Sequence, residues 1–212
     1  MSEYILQAKN ITKTFKNDKA LDNVSMSLKK GEIYGFIGQN GAGKSTMLRI
    51  ITGLSFPTNG QLELFDSRQE SNIVEAQKRM GAIIENPGLF PNMSAYNNLE
   101  VHRLQKGIPG RECIDRTLEL VGLQDTAKKK VKNFSLGMKQ RLGLAVALLS
   151  DPEFLILDEP TNGLDPMGIV ELRQLLKKLN REKGMTVLIS SHILSELHQL
   201  ATNYGIIHKG KM

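Results

Sequence analysis

The run Gly38-Gln39-Asn40-Gly41-Ala42-Gly43-Lys44-Ser45-Thr46 combines residues with little or no side chain, one lysine and a pair of hydroxyls. A Gly, four residues, then Gly-Lys-Ser is the spacing of a phosphate-binding loop. Holding a polyphosphate requires several backbone N–H groups converging on one spot. Small residues such as Gly38, Gly41, Ala42 and Gly43 let the backbone approach that closely. Lys44 adds a mobile positive charge for the outer phosphates, and the Ser45 hydroxyl suits Mg²⁺. Far down the chain, Asp158-Glu159 follows the apolar run Phe154-Leu155-Ile156-Leu157 and precedes Pro160. An acidic pair after a strand is often only a helix cap or a solvated surface. Pro160 instead makes it a loop at the carboxyl end of a buried strand, where α/β sheets bind ligands. Asp158 then fits a Mg²⁺ ligand opposite Ser45, and Glu159 fits the group that orients and polarises an attacking water.

These residues need elements to hold them. Residues 32–37 read as a buried strand, and residues 44–51 as a helix with Met47, Leu48, Ile50 and Ile51, closed by Gly53. Strand, glycine-rich loop and helix put a helix N-terminus under the phosphates. Upstream, residues 4–9 and 20–28 alternate as strands, with Phe15 in a polar stretch between them. Residues 57–60 are a turn into a strand at 61–65, and a helix at 73–79 leads to a strand at 80–84. The uninterrupted apolar run at 154–157 is typical of a central parallel strand. Asp165-Pro166 supplies an N-cap and an N1 proline for a helix to about residue 182. A strand at 186–190, a helix at 193–201 and a last strand at 204–208 complete the chain.

Residues 93–150 differ in character. Ser94 caps a helix towards Gln105, ended by Gly107 and Pro109, a second helix covers 111–121, and a third covers 139–149. No strand pattern interrupts them. The expected architecture is α/β, with a P-loop core of the RecA-like kind, an N-terminal antiparallel β subdomain and an inserted α-helical subdomain. The whole of 1–212 is one domain, with 1–92 and 151–212 as core and 93–150 as insertion.

Composition narrows the class. A chain of 212 residues with 40% hydrophobic and 24% charged residues is an ordinary globular protein. Cys113 is its only cysteine, which excludes an intramolecular disulfide and fits a reducing compartment. Nothing near Met1 resembles a signal peptide, and the longest apolar stretch, at 142–149, is too short to span a bilayer. The net charge of +6 is compatible with polyanions, but Lys128-Lys129-Lys130 has no interleaved aromatics and reads as a solvated face. No nucleic-acid partner is expected.

Ser135 and Gly137, in Phe134-Ser135-Leu136-Gly137-Met138-Lys139-Gln140-Arg141, sit where a helix starts and so form a second anion site. Alone, Ser135 would be only a good N-cap. Taken together with the phosphate loop before it and Asp158-Glu159 after it, the segment resembles the signature of the ATP-binding cassette family. That resemblance spans essentially the whole chain and keeps the family's order of motifs. Gly38 to Thr46 is similar to Walker A, Leu155 to Glu159 to Walker B, Asn162-Gly163-Leu164-Asp165 to the D-loop, and His192 to the switch histidine. Phe15 stands where the family has an aromatic that stacks on adenine, although by itself it would read as a core residue.

The resemblance implies an ATP-hydrolysing subunit of a transporter, with ATP and Mg²⁺ as cofactors. It also implies an ATP-dependent head-to-tail homodimer and separate integral membrane subunits, with the cassette cytoplasmic and peripheral on the inner face of the cell membrane. Each ATP would lie between Walker A of one protomer and Ser135, Leu136 and Gly137 of the partner subunit. His192 would contact the γ-phosphate, and Asp165 would couple the two sites. Two departures stand out. Leu136 and Met138 replace the usual Gly and Gln of the signature, and Glu85-Asn86 follows the strand where a Gln is usual. A carboxylate at Glu85 would add a metal ligand, yet two unit charges about 4 Å apart repel by about 4 kcal/mol at intermediate dielectric. Glu85→Gln is therefore expected to keep ATP binding and alter turnover or its Mg²⁺ dependence. Glu85-Asn86 and the Phe-Ser-Leu-Gly-Met segment are similar to the bacitracin and lantibiotic branch, which exports peptide antibiotics. The competing reading is a soluble cassette ATPase acting on ribosome or DNA, but such proteins carry paired cassettes or coiled-coil insertions. A plain P-loop kinase or GTPase would leave the Ser135 segment and His192 unexplained. The chain stops at Met212, just after its last expected strand, and is expected to be a shortened cassette.

Overall fold

The computed structural model describes residues 3–16, 18–67 and 75–212. Among these, β1 (Tyr4–Phe15), β2 (Asp18–Lys29) and β4 (Asn59–Leu64) form an antiparallel sheet in the order β2-β1-β4. The second sheet contains β3 (Ile33–Ile37), β5 (Met80–Ile83), β6 (Phe154–Leu157), β7 (Thr186–Ser191) and β8 (Asn203–Ile206). Its order is β5-β6-β7-β3-β8, with every pairing parallel. Parallel neighbours need crossovers, and helices supply them. α1 (Lys44–Ile51) follows β3, α5 (Pro166–Lys183) joins β6 to β7, and α6 (Leu194–His198) joins β7 to β8. Between the adjacent strands β5 and β6 run α2 (Ala95–Gln105), α3 (Glu112–Leu120) and α4 (Leu136–Leu148).

The strand period of two divides the core. Tyr34, Phe36, Phe154, Ile156 and Leu188 pack with α1 and the antiparallel sheet. Ile33, Ile37, Leu155, Leu157, Val187 and Ile189 pack on the other face, with α5 and the helical run. Covering both faces is why these strands are continuously apolar. It also decides where function can sit. Ile37 pairs with Ser191 and Leu157 with Ile189, so the loops leaving β3, β6 and β7 emerge side by side.

The expected mixed α/β architecture is present, with local differences. β1 runs to Phe15 instead of stopping near Lys9 because Asn10, at φ 56, forms a bulge. The bulge exposes Lys9 and Asn10 together and hides the alternation that continues from Ile11. α6 covers only Leu194–His198 of the expected 193–201. Thr202 donates both its backbone N–H and its hydroxyl to Ile33 O, at 2.7 and 3.0 Å, pulling the chain into β8 early. Of the helix expected at 73–79, residues 75–78 are helical, and 73–74 lie outside the described residues.

Candidate functional site

α1 begins at the phosphate loop with Gly43 as N-cap, at φ 108, and has no side-chain cap and no acidic residue in its first turn. Its first backbone N–H groups are therefore kept for an external anion. Gly43 is required twice over, by its φ and because a Cβ there would meet Ala20 O at 2.6 Å. At Gly38 a Cβ would meet Ile207 O at 2.5 Å, so that glycine serves the packing of the loop on the chain itself. Ala42 likewise turns its methyl into the core cluster that holds Ile207.

Lys44 is only 4% exposed. Its Nζ donates to Gly38 O at 2.6 Å and Gln39 O at 3.1 Å and pairs with Glu159 Oε1 at 3.0 Å. A cleft of about 490 Å³ opens here, walled by Asn40, Gly41, Gly43, Lys44, Ser45, Thr46 and Glu159. The remaining Glu159 oxygen, Oε2, accepts from Asn162 Nδ2 at 2.7 Å and meets His192 Nδ1 at 3.0 Å. Burial pushes the Glu159 carboxyl up, but the hydrogen bonds from Asn162 and Lys44, the Lys44 charge and the His192 contact outweigh it. The group is held below the ordinary carboxylate range. Glu159 is thus an anion poised at the end of β6, with its backbone at φ 46 in the left-handed region.

Beside it, Asp158 is buried, and its Oδ1 accepts from Ser190 Oγ at 2.6 Å. Asp158 Oδ2 makes no hydrogen bond to any described residue. A free carboxylate oxygen together with the Ser45 hydroxyl at the cleft wall is an oxygen-only donor pair, the kind Mg²⁺ takes when phosphates complete its shell. Among the described residues there is no cluster of three or more His, Cys, Asp or Glu side chains able to hold a metal.

Phe15 ends β1 opposite Asp18, itself part of the cleft wall, and the residue is 49% exposed, with Lys13 Nζ 4.9 Å from its ring centroid. It is a surface aromatic at the cleft edge and not a core residue. Glu85 departs from expectation. Its side chain is 57% exposed, pairs with Arg49 on α1 and is no part of the cleft wall. A guanidinium satisfies a carboxylate that phosphates would repel, so in this arrangement Glu85 is not a metal ligand.

Ser135 caps α4, its Oγ accepting from Met138 N at 3.2 Å, while Leu136 is 52% exposed. Leu136 lies in ordinary helical backbone, so replacing a glycine there costs no conformational freedom. Its side chain lies over Gly163, where an added Cβ would meet Leu136 Cδ2 at 2.3 Å. Gly137 and Asp165 are close by, with Asp165 Oδ1 capping α5 through Gly168 N at 2.8 Å. These residues border a larger cavity of about 700 Å³ that shares no wall residue with the Lys44 cleft. Its walls are rich in leucine, so the phosphates belong to the smaller cleft. Within one chain, the Ser135 turn and the phosphate loop stay apart.

Some contributors were not foreseen. Lys19 and Lys209 add cations to the cleft wall. Glu196 Oε2 accepts from Thr161 Oγ1 at 2.7 Å and Ser191 Oγ at 3.1 Å, tying the segment before Asn162 to the segment before His192. Its only sequence signal is a carboxylate in the first turn of the short helix that follows His192.

The family pattern described as ABC transporter matches residues 21–162. Over 208 residues, 98% of this chain, it is 50% identical to the bacitracin transport ATP-binding protein BcrA of Bacillus licheniformis and covers 68% of that protein. It is 47% identical to the lantibiotic transport ATP-binding protein SrtF of Streptococcus pyogenes, over 98% of this chain and 89% of that one. The fold matches a dimeric post-hydrolysis structure of the ATP-binding cassette MJ0796 bound to ADP and Pi. The TM-score is 0.88 at 29% identity, over 98% of this chain and 96% of that one. It also matches cbiO1 of Clostridium perfringens, part of the ABC transporter complex cbiONQ, with a TM-score of 0.89 at 28% identity, over 99% and 87% of the two chains.

Proposed function

The chain belongs to the ABC transporter family, and on that footing we propose how its own residues bind and hydrolyse ATP and what the hydrolysis drives. The observation that carries the reading is Glu159, held at one time by Lys44, Asn162 and His192 at the mouth of the phosphate cleft. An incoming γ-phosphate competes with Glu159 for Lys44, while the uncapped start of α1 receives the remaining phosphate charge. Released from Lys44, the Glu159 carboxylate takes the proton of the attacking water as that water bonds to the γ-phosphorus and ADP leaves. His192 keeps the carboxylate oriented through Nδ1 and presents its other ring nitrogen to the γ-phosphate. Phe15 stacks on the adenine. Ser45 and Asp158 would hold Mg²⁺, which would supply positive charge against the phosphates.

A second copy closes the site, bringing Ser135, Leu136 and Gly137 of the partner subunit onto the phosphates, with Asp165 coupling the two sites. The dimeric state of the MJ0796 cassette supports this. Residues 93–150 act as the helical subdomain that carries the signature, and 1–92 with 151–212 act as the ATP-binding core. Among the described residues no helix is long and apolar enough to cross a membrane. On this reading the cassette works peripherally, docked on separate membrane subunits at the inner face of the cell membrane, as the transport ATP-binding relatives support. Peptide antibiotics are the proposed cargo, supported by the bacitracin and lantibiotic relatives.

Glu159→Gln tests the core of this reading. It is expected to lower turnover by about 10²- to 10⁴-fold, the usual contribution of a general base, while an ATP-bound dimer accumulates on size exclusion. Retention of most of the native turnover would remove Glu159 from the role. Affinity capture from detergent-solubilised native membranes tests the assembly. A polytopic membrane protein is expected, and ribosomal proteins alone would overturn the transporter assignment.

A further inference from the structure

Ser190 is a polar side chain at 0% exposure, following the apolar centre Val187-Leu188-Ile189 of strand β7. Its hydroxyl makes two contacts at once. It donates to Asp158 Oδ1 at 2.6 Å and accepts from the backbone N–H of Glu159 at 2.9 Å. The parallel register places it there, because Leu157 at the end of β6 pairs with Ile189, and the residues that follow this pair are Asp158 and Ser190. We propose that Ser190 is a positioning residue for ATP hydrolysis, setting both carboxylate residues at the end of β6 through one hydroxyl.

Only one hydroxyl hydrogen exists, and Asp158 Oδ1 takes it, so the lone pairs of the same oxygen remain for Glu159 N–H. The first contact selects which Asp158 oxygen stays uncommitted. The second pins the backbone of Glu159 where φ is 46, a conformation that a glutamate keeps only when its surroundings hold it. With that backbone pinned, the Glu159 side chain reaches Lys44, Asn162 and His192 together. A serine kept merely for packing would be replaced without loss by an apolar residue. Here such a residue would leave a buried carboxylate oxygen and a partly buried N–H without a partner. No neighbour stands in for it, since Ser191 Oγ is engaged with Glu196 and the backbone of Ile193.

This inference rests on the reading of Asp158 and Glu159 given above. The test compares Ser190→Thr with Ser190→Val, which have nearly the same shape and differ in the hydroxyl, with Ser190→Ala as a smaller control and a thermal melt of each. The protein is the full chain. The readouts are kcat and KM for ATP, and the binding of a fluorescent ATP analogue in EDTA and in Mg²⁺. Misplacing catalytic groups costs about tenfold to a hundredfold in rate, so Val and Ala are expected to lose that much kcat while Thr stays within about threefold of native. Binding in EDTA is expected to be unchanged in all variants, and the gain in affinity on adding Mg²⁺ is expected to shrink in Val and Ala only. Equal kcat and equal Mg²⁺ gain in Thr and Val would overturn the role of Ser190. If in that case Glu159→Gln still abolished turnover, the catalytic reading would stand without Ser190. If Glu159→Gln also turned over normally, the catalytic reading itself would fail.

Discussion

The phosphate loop and the Ser135 turn are both helix N-termini, yet they are built in opposite ways. α1 starts at a glycine with no side-chain cap, and the side chain of its first residue, Lys44, is buried and held by Glu159. α4 starts at a serine that caps its own helix, with an exposed leucine next to it. An uncapped start keeps its N–H donors for a ligand and leaves that turn unsatisfied until the ligand arrives. A self-capped start is stable alone and has only a hydroxyl and a surface to offer. The first is therefore a binding site in an isolated chain, and the second becomes one only when something is brought to it. On the proposed dimeric reading, this division would let one fold depend on a second copy without depending on it for stability.

Each end of the comparison can be tested by substitution. Lys44→Ala should have the largest effect, weakening nucleotide binding by about 10²-fold by equilibrium titration, because charge-assisted contacts to phosphate are lost. Ser135→Asp should leave binding to the isolated chain unchanged, since Asp caps a helix as well as Ser does. Its carboxylate would nevertheless meet the opposed phosphates, so ATP-dependent dimers should vanish on size exclusion. If Ser135→Asp weakened binding by the monomer, the division would collapse. Glu196→Gln should cost about 1–3 kcal/mol in chemical denaturation, since it trades a charge-assisted clamp on Thr161 and Ser191 for a neutral one.

The acid limb of stability offers a finer test. Glu159 is held below the ordinary carboxylate range in the fold, so its contacts stabilise the nucleotide-free protein above the unfolded value. That contribution is lost as pH falls through the lowered folded value. Glu159→Gln should flatten this limb in acid-denaturation curves followed by circular dichroism, whereas Ser135→Asp should not. The smallest effect is expected at Glu85. Paired with Arg49 and outside the cleft wall, it should tolerate Gln with ATP affinity and its Mg²⁺ dependence unchanged in the isolated cassette. A shifted Mg²⁺ titration would put that carboxylate back beside the phosphates.

Much of this was legible in the chain itself. The helix at Lys44–Ile51, the cap at Ser94, the Asp165-Pro166 start and the strand at Phe154–Leu157 follow from short-range rules of spacing, capping and apolar runs. The phosphate loop and Asp158-Glu159 could be nominated because their chemistry is local in sequence, whereas His192 was reached only through the family resemblance. Ser190, Glu196, the Arg49 partner of Glu85 and the packing of Leu136 over Gly163 could not. Each depends on which strand lies beside which, and at what register, over separations no local pattern reports. A motif states which groups are available because side-chain chemistry travels with the residue. Only the sheet order β6-β7-β3 brings Lys44, Glu159 and His192 to one point, because hydrogen-bonded register is a property of strands that meet after folding.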